Sequence, residues 1–130
     1  MVECIENNPK SEHYRLGFTP TSRLGISLGG MFVVYAMCLW QSVLMLLIVD
    51  ETGSPVWCPA GLFRVRSGAI PTCWGFAQGG CGDDVEALWG YPELVEDVDE
   101  FDRLSEMDHA AVARFMRAKG LIDGEMNAFA

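Results

Sequence analysis

From Leu24 to Val49 the chain runs 26 residues without an Asp, Glu, Lys, Arg or His. No other feature restricts the fold so sharply. A helix of that length reaches roughly 39 Å at 1.5 Å per residue, against a hydrocarbon core about 30 Å thick. The apolar residues fall on every side of such a helix, whereas the helix of a water-exposed domain would show charge every three or four positions. The run is longer than the apolar region of a signal peptide, and it ends in LLIVDE rather than at a small-residue cleavage site. The alternative is a helix buried at the centre of a globule, and the remaining chain is short and acidic for that. The run therefore predicts one transmembrane helix over 24–49, in a mainly α, single-pass membrane protein.

Within this helix, Gly25 and Gly29 form a small-xxx-small pair, with Ala36 one heptad beyond. Small residues let helices approach closely in lipid, where hydrophobic expulsion does not drive association. Gln41, next to Ser42, is a polar group deep in the span that wants a hydrogen-bond partner from a neighbouring helix or lipid. Gly25, Gly29, Ala36 and Gln41 are thus the expected helix-packing positions. The rings of Tyr35 and Trp40 suit grooves between helices.

The charge lies elsewhere. Residues 1–23 are neutral overall, and the net charge of −9 falls entirely on residues 50–130, with 15 acids against six bases. An acidic chain without a basic patch does not bind nucleic acid. Lys10, Arg15 and Arg23 before the run, against Arg64 and Arg66 after it, place the N-terminus on the cytoplasmic, matrix or stromal side.

Beyond the run, the chain divides by composition into an extension at 50–90 and an acidic tail at 91–130, after an N-terminal arm at 1–23 and the span at 24–49. The extension holds eight of the 14 glycines together with Pro55, Pro59 and Pro71. Turns and short extended pieces such as Leu62–Val65 follow from that density. Cys58, Cys73 and Cys81 lie within it, where a disulfide between two of them would brace an irregular segment in an oxidising compartment. Zinc held by Cys58, Cys73, Cys81 and His109 is the competing arrangement, but the spacings match no zinc knuckle.

In the tail, Pro92–Leu104 carries Leu94, Val98, Phe101 and Leu104 at helical spacing. A second helix is expected from a Ser105 cap, with Ala111, Val112, Phe115 and Met116 as its stripe and Gly120 as its stop. These stretches predict an amphipathic helix or helical hairpin with no core of its own. Trp74, Trp89, Leu94, Val98, Phe101 and Phe115 are then the residues expected to dock on a partner.

No catalytic or cofactor signature emerges. GxxxxGK(S/T), GxGxxG, HExxH and GxSxG are all missing, and EDVDEFD lacks the glycine and spacing of a calcium loop. In outline the chain is similar to the accessory subunits of respiratory or photosynthetic complexes, an analogy of form alone. The expected function is a non-catalytic structural subunit of a large membrane complex, in an organellar inner membrane or thylakoid, with other membrane subunits and lipid as partners and no cofactor. Two alternatives stand beside it. One is a viral or bacterial envelope protein that self-associates through the glycine face; the other is a tethered adaptor whose acidic helix recruits a basic protein.

Overall fold

The 26-residue run folds as β-strands. In the computed structural model, which describes residues 1–7, 25–79 and 84–129, it contributes β2 (Met31–Phe32), β3 (Ala36–Trp40) and β4 (Val43–Val49). No described helix is long and apolar enough to cross a membrane. The transmembrane helix, the mainly α membrane fold and the single-pass placement in an organellar membrane are therefore corrected.

The physical reason lies at Gln41 and Ser42. Both take positive φ, 49° and 65°, as a two-residue type I′ hairpin requires, and Trp40 pairs directly with Val43. The tip is fastened to the neighbouring strand. Gln41 Nε2 donates to Asp84 at 3.2 Å, and the Ser42 amide donates to Glu86 at 2.9 Å. Two polar residues that would be an anomaly in lipid are a turn.

The other strands are β1 (Val2–Cys4), β5 (Pro55–Pro59), β6 (Phe63–Val65), β7 (Gly75–Gln78) and β8 (Val85–Gly90). They form a three-stranded sheet, β2-β1-β6, and a five-stranded sheet, β5-β4-β3-β8-β7, with antiparallel pairing throughout. Side chains alternate across a strand, so β4 presents Met45 and Leu47 to one face and Leu46 and Ile48 to the other. The first pair packs with the helices, and the second with Val2, Cys4, Ile26, Leu62 and Phe63 around the small sheet. The order of layers is small sheet, large sheet, helices. Burial on both faces explains why no polar residue interrupts β4.

Gly25, Gly29, Ala36 and Gln41 consequently share no helix face. Gly25 accepts the Glu51 amide, and Gly29 sits in a turn at φ +80. Ala36 is buried on β3 beside Gly90, where an added methyl would come within 2.9 Å of the Ala36 Cβ. Tyr35, also assigned to the span, points instead to the helical layer, where its hydroxyl donates to Asp123 at 2.6 Å.

The tail forms α1 (Pro92–Glu96), α2 (Glu100–Ser105) and α3 (His109–Met126). The cap of α3 is Asp108, whose carboxylate accepts the Ala111 amide at 3.0 Å, in place of Ser105. Nor does α3 stop at Gly120. Each interior glycine costs about 1 kcal/mol relative to alanine, but burying Ile122 and Met126 returns about 1.5–3 kcal/mol apiece. These residues extend the buried stripe Ala111, Phe115, Ala118. Phe115 anchors it, edge-on to Tyr35 (5.4 Å) and to Tyr91 (6.1 Å). The helices are therefore buried against the chain's own sheet.

The hairpin supplies a stability prediction. A side chain in the left-handed region costs about 1–2 kcal/mol, while glycine costs about 0.5–1 kcal/mol in unfolded-state entropy. Ser42→Gly keeps the amide bond to Glu86 and is expected to stabilise by about 0.5 kcal/mol. Urea unfolding monitored by tryptophan fluorescence measures it.

Candidate functional site

Among the concavities of the described fold, three differ in the side chains that line them, and those side chains decide which can act chemically. The first is a charged hollow over α1, α2 and α3, lined by Glu93, Glu96, Asp97, Glu100, Arg103 and Arg114. Glu100 is buried at its floor, and both of its oxygens are taken by Arg114, at 2.7 and 2.8 Å. Arg103 turns to Asp97 at 2.8 Å and reaches Glu100 at 3.7 Å. Tyr91 is fully buried, and its hydroxyl has no partner among the described residues. Burial, and then the nearby Glu100 and Glu93 carboxylates, hold the Tyr91 phenol above its ordinary range. A carboxylate occupied on both oxygens and a phenol held neutral offer no general base. The hollow ties α2 to α3.

The second concavity is an apolar cleft of about 220 Å³ where the small sheet meets the large one. Met37 and Leu44 come from the β3–β4 hairpin, Phe63 and Val65 from β6, and Ile70 and Trp74 from the segment that follows. None of the lining side chains is ionisable. That following segment is held in place from both ends. The Arg66 and Ser67 amides donate to the Met1 carbonyl, and both the amide and the hydroxyl of Thr72 donate to the Glu125 carboxylate, at 2.7 and 2.8 Å. The cleft wall thus depends on the far end of α3. Its mouth exposes Leu44 (40%), Ile70 (59%) and Val65 (67%), large apolar side chains that converge on one opening. The third concavity lies beside β5 and α2.

The structure redistributes the expected docking residues. Leu94, Phe101 and Phe115 belong to the chain's own core. Trp74 is half-buried and lines the cleft, while Trp89 packs on Phe76 with ring centroids 5.3 Å apart. Val98 is exposed in the break between α1 and α2. Leu44, Val65 and Ile70 escaped sequence reasoning. The available signal was Ile70, a lone large apolar residue in SGAIPT with no periodic company.

Cysteine chemistry is corrected too. Cys4, Cys38, Cys58 and Cys73 are thiols, so no described cysteine forms a disulfide; Cys81 lies outside the described residues. Cys58 pairs across the strands with Leu46 inside the sheet layers. Nor do Cys58, Cys73 and His109 assemble for zinc, since no three His, Cys, Asp or Glu among the described residues are grouped for a metal. His109 is exposed at the start of α3.

No protein-family model, curated protein or solved structure matches the chain.

Three measurements follow. Removing one partner of a buried ion pair leaves the other charge uncompensated. Arg114→Met should therefore destabilise by about 3 kcal/mol in urea unfolding, a loss the exposed Arg117→Met does not share. Cys58 behaves as a buried thiol, raised by desolvation from 9.0 to about 12. Above pH 9 the unfolded thiol ionises and the folded one does not, so stability falls as pH rises from about 9 towards 12. Native-state alkylation at pH 8, read by peptide mass spectrometry, should spare Cys58. Denaturant without reductant should expose it.

Proposed function

We propose that the chain is a non-catalytic interaction subunit of a protein complex, and that the apolar cleft between its sheets receives an apolar anchor from a partner protein. The observation that carries this is the convergence of exposed Leu44, Val65 and Ile70 on a cleft without an ionisable lining side chain. Apolar side chains left in water around one opening mark an interaction site when they are contiguous. Size argues for the kind of occupant. At about 220 Å³ the cleft lies below the roughly 300–1,000 Å³ of small-molecule and cofactor pockets. It has room for a partner's anchoring side chains, the buried centre around which protein interfaces concentrate their binding energy. A lining whose side chains carry no ionisable group supports binding over turnover.

The test is quantitative co-purification of the tagged chain from the cells that make it, compared with Val65→Asp and Ile70→Asp. Both sites are exposed, so circular dichroism and the unfolding midpoint should be unchanged. A carboxylate pressed into a desolvated anchor site costs about 2 kcal/mol or more, which is roughly a 30-fold loss of affinity. A discrete set of proteins should be held by the wild type and lost from both variants. Equal recovery of the same proteins by all three chains would refute the reading.

A further inference from the structure

On the opposite face of the large sheet, a second groove of about 480 Å³ lies between β5 and the C-terminal end of α2. Trp40, Pro55 and Trp57 supply one wall, and Leu104, Ser105 and Met107 the other. Trp57 leans on Phe101 with centroids 5.3 Å apart. Its buried indole N–H has no acceptor among the described residues. An indole N–H usually finds a partner when buried, and Trp57, which lines the groove, leaves that donor unmet among the described residues.

The geometry at Met107 adds a second observation. Helix α2 ends in a Schellman turn: the Asp108 amide donates to the Arg103 carbonyl and the Met107 amide to that of Leu104. This motif places its terminal residue in the left-handed region, where glycine is usual. Here the residue is methionine at φ 60°, its side chain 48% exposed and lining the groove. Methionine is flexible and polarisable, and it recurs on surfaces that grip varied apolar side chains. A side chain kept at a strained position and half in water fits a binding role.

Charge selects the occupant. The lining segment of α2 is flanked by the exposed acids Asp102, Glu106 and Asp108, and the turn that closes onto Ser54 carries Asp50 and Glu51. The basic neighbour, Arg103, is committed to Asp97 and Glu100. With a net charge of −9 behind it, this rim repels phosphate, and so disfavours both nucleic acid and anionic lipid headgroups. Prolines at both ends of β5 blunt its edge against strand addition, leaving side-chain contacts as the means of binding.

We infer that this groove docks a peptide segment of a partner protein in which an apolar anchor is flanked by lysine or arginine. The anchor lies between Trp40, Trp57, Leu104 and Met107, and the flanking cations meet Asp102, Glu106 and Asp108. The site is separate from the cleft between the sheets, so each stands or falls alone.

Fluorescence anisotropy on the full chain tests it, with a synthetic labelled peptide whose Leu-Phe centre is flanked by lysines. Two control peptides accompany it, one with glutamines for the lysines and one with glycines for the Leu-Phe pair. The parent peptide should bind, and raising salt from about 0.05 to about 0.5 M should weaken it about tenfold. Met107→Gly suits the left-handed backbone and so preserves the fold; it should weaken binding about tenfold by removing the anchor contact. Glu106→Lys should lower affinity and flatten the salt dependence. The inference is overturned if the parent peptide does not bind, if either control binds as tightly, or if Met107→Gly has no effect.

Discussion

Burial of the β3–β4 hairpin on both of its faces is the constraint on which the rest of this structure depends. Met45 and Leu47 face the helices, while Leu46 and Ile48 face the small sheet. Each fully buried side chain of this kind is worth about 1.5–3 kcal/mol. A hairpin apolar on both faces is insoluble alone, so it must be covered twice. The helices exist as a layer because Phe115, Ile122 and Met126 meet one side. The small sheet, built from segments remote in sequence, exists because Val2, Cys4 and Phe63 meet the other. The two concavities with apolar linings then arise where each cover stops short of the strand ends.

The same two-sided burial explains what was legible in the sequence. Absence of charge over 24–49 signalled removal from water, which is correct for Ala36, Cys38 and Met45 to Ile48, whereas Met31 and Leu44 are exposed. It carried no information about whether lipid or protein does the removing. A one-sided strand would have shown polar alternation, and β4 shows none because Met45 to Ile48 are buried on both of its faces. The deciding signal was Gln41-Ser42. In a helix such a pair is a cost to be explained, whereas between two apolar runs it is a turn. Its residues are not the Asn-Gly of the commonest type I′ hairpins, so local propensity did not announce it. What holds it is tertiary: Asp84 and Glu86, more than 40 positions away, accept from its side chain and amide.

The tail was more readable. Leu94, Phe101, Leu104, Ala111 and Phe115 are buried as expected, but the helix expected over Pro92–Leu104 is two helices, Val98 and Met116 of the expected stripes are exposed, and the short extended piece near Leu62–Val65 is β6. A lipid-embedded span over 24–49 would leave nothing in the chain to cover the helices, and their apolar stripes would then need an external protein. Assigning the same residues to a sheet supplies that cover internally. Three of the six docking residues, Leu94, Phe101 and Phe115, then become core, and the proposed binding surfaces rest on side chains with no periodic signature: Leu44, Val65, Ile70 and Met107. Such residues are hard to find in a sequence because their meaning depends on segments that converge only after folding.

The arrangement also has a mechanical consequence for the proposed binding surfaces. The wall of the cleft is tied through Thr72 to Glu125 near the end of α3, and the groove wall is the Schellman turn that leads into the Asp108 cap at its start. Both sites are therefore braced by opposite ends of one 18-residue helix whose stripe is packed on the large sheet. A rigid helix holds both walls in place before any partner arrives, and preorganisation of this kind lowers the entropy lost on binding. Fraying at the C-terminal end of α3 would release Glu125 and loosen the cleft while leaving the Asp108 cap intact. The two sites share a scaffold, yet their local restraints remain distinct.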